Sequence, residues 1–299
     1  MPPMEQFCTV GGVELCYETF GDPRDPAMLL VMGMAMQMVA WHDDLCEELA
    51  GRGFHVIRFD NRDAGRSQRM HGSPPNLLQI ARRDRRAAVY TLEDMADDGV
   101  GLLDHLGVDG AHVVGASMGG MIGQVMAVRH PRRVLSLVSM LSNTGARWSG
   151  QPSWRLYHVL LARPPRDRER YLRFAEWVFE RIGSRTLDRG VDDIRRIAAR
   201  SYDRGLNPAG SGRQLAAILA SGDRTAQLRS ITAPTLVVHG AEDRFVAPSG
   251  ARATTRAIPG ARLLMIERMG HDLPRSLWPR ILDAIEQNAA RAGERRAAA

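Results

Sequence analysis

Short apolar runs of strand type alternate with segments of helical spacing over most of this 299-residue chain, which predicts a mainly parallel sheet covered by helices on both faces. FCTV, VELCYETF, AMLLVM at 27–32 and HVIRFD at 55–60 are the first such runs, separated by glycine and proline clusters. Trp41, Leu45 and Leu49 in WHDDLCEELAGRG fall on one helical face that ends at Gly51 and Gly53. Residues 68–90 read as a surface loop with room for a short helix. TLEDMADDGVGLLDHLG reads as a helix with Thr91 as N-cap, Asp94 in the first turn and Gly107 at the end. AHVVG is a buried strand, SMGGMIGQVMAVRHP a helix stopped by Pro131, and RVLSLVSML a further strand.

The alternation stops at about residue 143. Up to residue 228 the chain is rich in arginine and aromatics, with helical spacing in RERYLRFAEWVFERIG and VDDIRRIAARSYDRG and no convincing strand. It reads as a helical insertion, residues 143–228, into a core made of 1–142 and 229–299. Alternation then resumes with a strand at 235–239, a helix near 248–257, the strand ARLLMIE and the helix SLWPRILDAIEQNAARA, while GERRAAA is expected to fray.

Charge narrows the chemistry. All 40 basic residues are arginine, so the phosphate-loop lysine, the Schiff-base lysine and the kinase strand lysine are excluded together. From 143 to 227 there are 16 arginines against nine acidic residues, which reads as solvated helical faces or as an electropositive rim for an anionic substrate. The formal charge of +6 alone does not make a nucleic-acid binder. The N-terminus lacks a secretory pattern and no run reaches a membrane-spanning length, so the expectation is a soluble cytoplasmic protein without stable membrane insertion. Cys8, Cys16 and Cys46 match no disulfide framework or zinc spacing. With a turn at Gly11 and Gly12, Val10 faces Val13 and Cys8 faces Leu15, leaving Cys16 on the other face from Cys8.

The stretch HVVGASMGGMIG, residues 112–123, sits between a strand and a helix. It is not a dinucleotide loop, because Ser117 stands where a second glycine is needed. It does match G-x-S-x-G, the pattern of a nucleophile elbow. There a serine occupies a strained strand-to-helix turn, glycines 115 and 119 give clearance, and the Met118 N–H points to where an oxyanion would form.

A serine hydroxyl needs a base and an acid to orient that base. Asp243 follows the strand TLVVHG and His271 follows LLMIE, in the order serine, aspartate, histidine. Glu242 would point elsewhere on its turn, Asp272 cannot easily reach the His271 Nδ1, and the preceding strand ends at Asn143 rather than an aspartate. His42, His105 and His130 fall in or at the ends of helices and His239 precedes the acid loop, so His271 is the expected base. Gly33 lets the chain turn after AMLLVM, and the Met34 N–H is the candidate second oxyanion donor. FDNRDAGRS, with Asp60, Arg62 and Asp63, reads as a turn that buttresses the site floor through side-chain to backbone hydrogen bonds.

VMG, DNRDAGRS, VVGASMGG, GAED and MGH, in that order over residues 8–288, resemble the α/β-hydrolase superfamily, and within it bacterial esterases of the aclacinomycin methylesterase type. The resemblance implies a sheet of about eight strands, a helical cap after the sixth, and a pocket between cap and core. It implies backbone oxyanion donors at Met34 and Met118. Methionine stands at 34 where the methylesterase type has glycine, which bears on pocket width rather than on a backbone donor. The implied activity is ester hydrolysis by Ser117, His271 and Asp243 on a small-molecule ester, with no metal or organic cofactor. A homodimer is an admissible assembly. Carbon–carbon bond, lactone or peptide hydrolysis on the same three residues, or non-catalytic ligand binding under the cap, are the alternatives.

Overall fold

The computed structural model describes residues 4–82, 84–188 and 190–297. Eight strands form one sheet: β1 Gln6–Val10, β2 Val13–Phe20, β3 Ala27–Val31, β4 His55–Phe59, β5 Ala111–Ala116, β6 Val134–Met140, β7 Thr235–Gly240 and β8 Arg262–Ile266. Their order is β1-β2-β4-β3-β5-β6-β7-β8, with the β1–β2 and β2–β4 pairings antiparallel and all the others parallel. Gly11 and Gly12 both take positive φ, the geometry of the tightest hairpin turn, and the register pairs Val10 with Val13 and Cys8 with Leu15.

Helices α1 Asp43–Gly51, α2 Leu77–Arg82, α3 Leu92–His105 and α4 Met118–Arg129 connect the first six strands. Thr91 and Asp94 form a reciprocal capping box at the start of α3. Every residue of β3 and β4 is buried, as parallel strands covered on both faces require. One apolar cluster lies on each face of the sheet. Leu29, Val31 and Val113 point to α3 and α4, whereas Leu30, Val114 and Val238 point to α1 and to α10, Trp278–Ala297.

Between β6 and β7 lie α5 Tyr157–Leu160, α6 Arg168–Ile182, α7 Val191–Arg204 and α8 Pro208–Ser221, with no strand among the described residues. Helix α8 escaped the sequence reading because its glycines and alanines blur the apolar period, although Asn207 caps it and Pro208 opens it. The last connection before β8 is α9, Ser249–Ala257. At the C-terminus, α10 runs on to Ala297, so residues 293–297 are helical rather than frayed; residues 298 and 299 lie outside the described residues.

Arginines on the inserted helices dock them onto the core. Arg200 pairs with Asp43 and Glu18, Arg204 with Asp60 and Glu5, and Arg213 with Asp63. The turn FDNRDAGRS therefore does more than brace its own backbone: Asp60 and Asp63 are the buried anchors for α7 and α8. Arg204 and Arg213 thus face neither water nor a ligand, whereas others of the insertion, such as Arg163, Arg166 and Arg170, are exposed.

Burial pushes the Asp63 carboxyl up, but the Arg213 fork, the Met70 N–H and the Tyr90 hydroxyl outweigh it and hold it below the ordinary carboxylate range. Burial acts likewise on Asp43, where Arg200 and Arg58 prevail. A carboxyl lowered in the folded state contributes stability that is complete above its unfolded value, about 3.9, and is lost as pH falls through its folded one. Asp98 acts in the opposite sense, because burial raises it beyond what Arg62 offsets. Urea midpoints should fall on acidification below about pH 4. Asp63→Asn should lower the midpoint at pH 7 and flatten that acid limb; an unchanged limb would remove Asp63 from the account.

Candidate active site

The strand order reverses direction at the β3/β5 pair, and in open α/β sheets ligands bind at such a point, beyond the carboxyl ends of the strands. Ser117 directly follows β5 there, at φ 55° and ψ −118°, a positive-φ conformation that non-glycine residues take only when their surroundings enforce it. Here the enforcement is visible. The Ser117 N–H donates to the Met140 carbonyl at 2.8 Å, and α4 begins at the next residue, buried from Met118 to Ala127. A Cβ at Gly115 would stand 2.1 Å from the Gly119 carbonyl oxygen, and one at Gly119 would stand 2.0 Å from that of Val31. Both positions are closed to any side chain.

Strands β5, β6, β7 and β8 are consecutive neighbours, so the turns after them line up along one edge. Asp243, fully buried after β7, accepts the Phe245 and Val246 N–H groups on Oδ1 at 2.9 and 2.8 Å. Its Oδ2 is 2.7 Å from Nδ1 of His271, in the turn after β8. The His271 Nε2 is 3.2 Å from Ser117 Oγ. The structure thus brings Ser117, His271 and Asp243 into one hydrogen-bonded chain. The His271 backbone N–H donates to the Ile182 carbonyl at 2.8 Å, and its ring lies 5.0 Å from that of Phe245. Helix α6 therefore fixes the histidine from above.

The neighbouring polar groups have other partners. Glu242 is exposed, and Asp272 accepts both the N–H and the hydroxyl of Ser184, at 2.9 and 2.6 Å. Asn143 closes its own turn through Gly145 and Gly150. His239 lies 3.4 Å from Asp243 Oδ2, but the same Nε2 donates to the Val246 carbonyl at 2.8 Å. Burial pushes the His239 imidazole pKa down, against the opposing charge of Asp243. A neutral, fully buried ring there braces the acid loop.

The loop after β3 runs against Ser117: a Cβ at Gly33 would lie 3.2 Å from the Ser117 Cβ and 3.8 Å from its Oγ. Met34 follows directly, and its N–H makes no hydrogen bond among the described residues. Met118 is the first residue of α4, so helix geometry leaves its N–H without an intrahelical acceptor. Two donors of this kind beside a serine hydroxyl are suited to an oxyanion. Met38 and Met118 are buried in the core, whereas Met34 and Met36 are partly exposed. Trp148 and Trp154 are 91% and 76% exposed, so these aromatics face outward rather than lining a pocket.

Residues 26–274 match the family model for the α/β-hydrolase fold, and the chain belongs to that family. The rhodomycin D methylesterases DnrP of Streptomyces peucetius and DauP of Streptomyces sp. strain C5 are 30% and 31% identical to it, over 91% of this chain and 94% of each relative. The crystal structure of the enol-lactonase from Burkholderia xenovorans LB400 superposes with a TM-score of 0.71 at 22% identity, covering 95% of this chain and all of that one, a likeness of fold. The protein is a hydrolase, related over nearly its whole length to methylesterases.

Proposed function

We propose that the protein is a serine carboxylic ester hydrolase acting on small-molecule esters of short to medium acyl length. The observation that carries this reading is the chain Ser117 Oγ–His271 Nε2 and His271 Nδ1–Asp243 Oδ2, at 3.2 and 2.7 Å, with the serine on a strained turn. Ser117 passes its proton to His271 and attacks the ester carbonyl, while Asp243 holds the Nδ1–H tautomer and offsets the imidazolium charge. The Met34 and Met118 N–H groups receive the developing oxyanion. His271 then protonates the departing alcohol, and water, deprotonated by the same imidazole, releases the acid from Ser117. Helices α5–α8 serve as the cap over the pocket. The three free cysteines, all buried, suit a reducing cytoplasm.

The methylesterase relatives support an ester over a carbon–carbon bond as substrate. A relative at 27% identity, the 3-oxoadipate enol-lactonase 2 of Acinetobacter baylyi, makes cyclic esters the second candidates. The test is a panel of p-nitrophenyl esters from acetate to decanoate beside simple lactones and dienoic acids, with fluorophosphonate labelling followed by peptide mass mapping. The expected result is highest kcat/KM on a short or medium ester and label on Ser117. An inert serine with no ester turned over would overturn the reading.

A further inference from the structure

The loop that carries the candidate oxyanion donor Met34 is held by the inserted helices as much as by the core. Asn61 Nδ2 donates to the Met32 carbonyl at 2.9 Å, and the Met38 N–H donates to Asp60 Oδ1 at 2.7 Å. Those two contacts fix the ends of the loop. Its middle is fixed by side chains that touch the cap. Gln37 Nε2 donates to the Ser201 and Gly205 carbonyls, each at 2.9 Å, and its Oε1 accepts from Arg204 at 2.6 Å.

One contact lies closest to Met34. Ala35 has φ 62°, a left-handed conformation that is strained for an alanine. Its N–H donates to Oε1 of Gln214 at 2.9 Å, and the Nε2 of the same amide donates to the Arg62 carbonyl at 3.0 Å. Gln214 is fully buried on α8, and because its two ends meet a donor and an acceptor, a flipped amide would oppose both. We infer that Gln214 is a positioning residue: it bridges Ala35 to the Arg62 turn and so holds the Met34 N–H at Ser117, making helix α8 part of the oxyanion site. The inference rests on the hydrolase reading above, since it assigns a role within that site.

A buried apolar replacement would strand the Ala35 N–H and the Arg62 carbonyl and let the strained residue relax, moving the donor away. Removing an oxyanion donor outright costs about 10²–10³ in kcat, so a misplaced one should cost roughly 10- to 100-fold. In the full-length protein, Gln214→Leu is expected to lower kcat on p-nitrophenyl butyrate by that factor with KM little changed. Affinity for a trifluoromethyl ketone, which forms the tetrahedral adduct, should fall in parallel. Hydrogen exchange over residues 32–38 should quicken. Gln214→Asn, which keeps the polarity but is one methylene short of spanning both partners, should give the same pattern and serves if the leucine variant does not fold. A folded variant with wild-type kcat, ketone affinity and exchange would overturn the proposal while leaving wild-type ester hydrolysis intact. If the wild type turned over no ester, the hydrolase reading would fail by itself. Exchange over 32–38 would still decide whether Gln214 holds the loop.

Discussion

Replacing Ser117 by alanine is expected to lower kcat/KM on a p-nitrophenyl ester by at least about 10³-fold while the melting temperature stays within a few degrees of wild type. The size follows from the linkage of the three side chains. On the proposed mechanism, loss of the hydroxyl leaves His271 nothing to deprotonate, and only the candidate N–H donors at 34 and 118 and simple binding remain to accelerate attack by water. The fold should tolerate the change because alanine retains the Cβ that already fits at φ 55°. The anchor of the turn, the N–H donating to the Met140 carbonyl, belongs to the backbone. Asp243→Asn gives a second measurement of the same machinery, since an amide would accept the Phe245 and Val246 N–H groups but present its NH₂ or a poorer acceptor to His271. Its loss should approach that of Ser117→Ala. Two variants each retaining wild-type turnover would remove these residues from the chemistry.

Local chemistry made much of this arrangement legible in the sequence. The elbow could be read because three constraints coincide within seven residues: the β-branched strand end Val113–Val114, a serine, and glycines at the two positions where a Cβ would strike backbone at 2.1 and 2.0 Å. Asp243 and His271 could be read because each follows a short apolar strand, and adjacent parallel strands present their carboxyl ends on one edge. The links between α7, α8 and the core could not be read. Asp60 and Asp63 meet Arg204 and Arg213 across about 150 positions of chain, and no spacing rule connects residues so far apart. Nor does composition distinguish an arginine that is buried against a carboxylate from one standing in water. Gln214 is the extreme case, since a glutamine in an alanine-rich helix carries no sequence signal for bonding a strained residue at position 35.

That buried electrostatic join carries the second large effect. Arg204 is almost wholly enclosed, with its guanidinium on Asp60 at 2.7 Å, on Glu5 at 2.7 Å and on Gln37 at 2.6 Å. Asp60 in turn receives the Met38 and Arg66 N–H groups, so the pair joins the cap, the strand β4 turn and the loop beside Ser117. Forming such a pair from water stabilises little, because two charges must be desolvated, but removing one partner leaves the other buried and uncompensated at a cost of about 3–5 kcal/mol. Arg204→Met should therefore lower the melting temperature by on the order of 10 °C. The same variant should reduce kcat, because Gln37 loses the donor that orients it. Combining it with Asp60→Asn removes the stranded charge, so the double variant should be more stable than the sum of the two single losses allows. If Arg204→Met melted with the wild type, or if the two losses simply added, the cap would be held by its apolar contacts, and the arginines at this join would be bystanders to both stability and turnover.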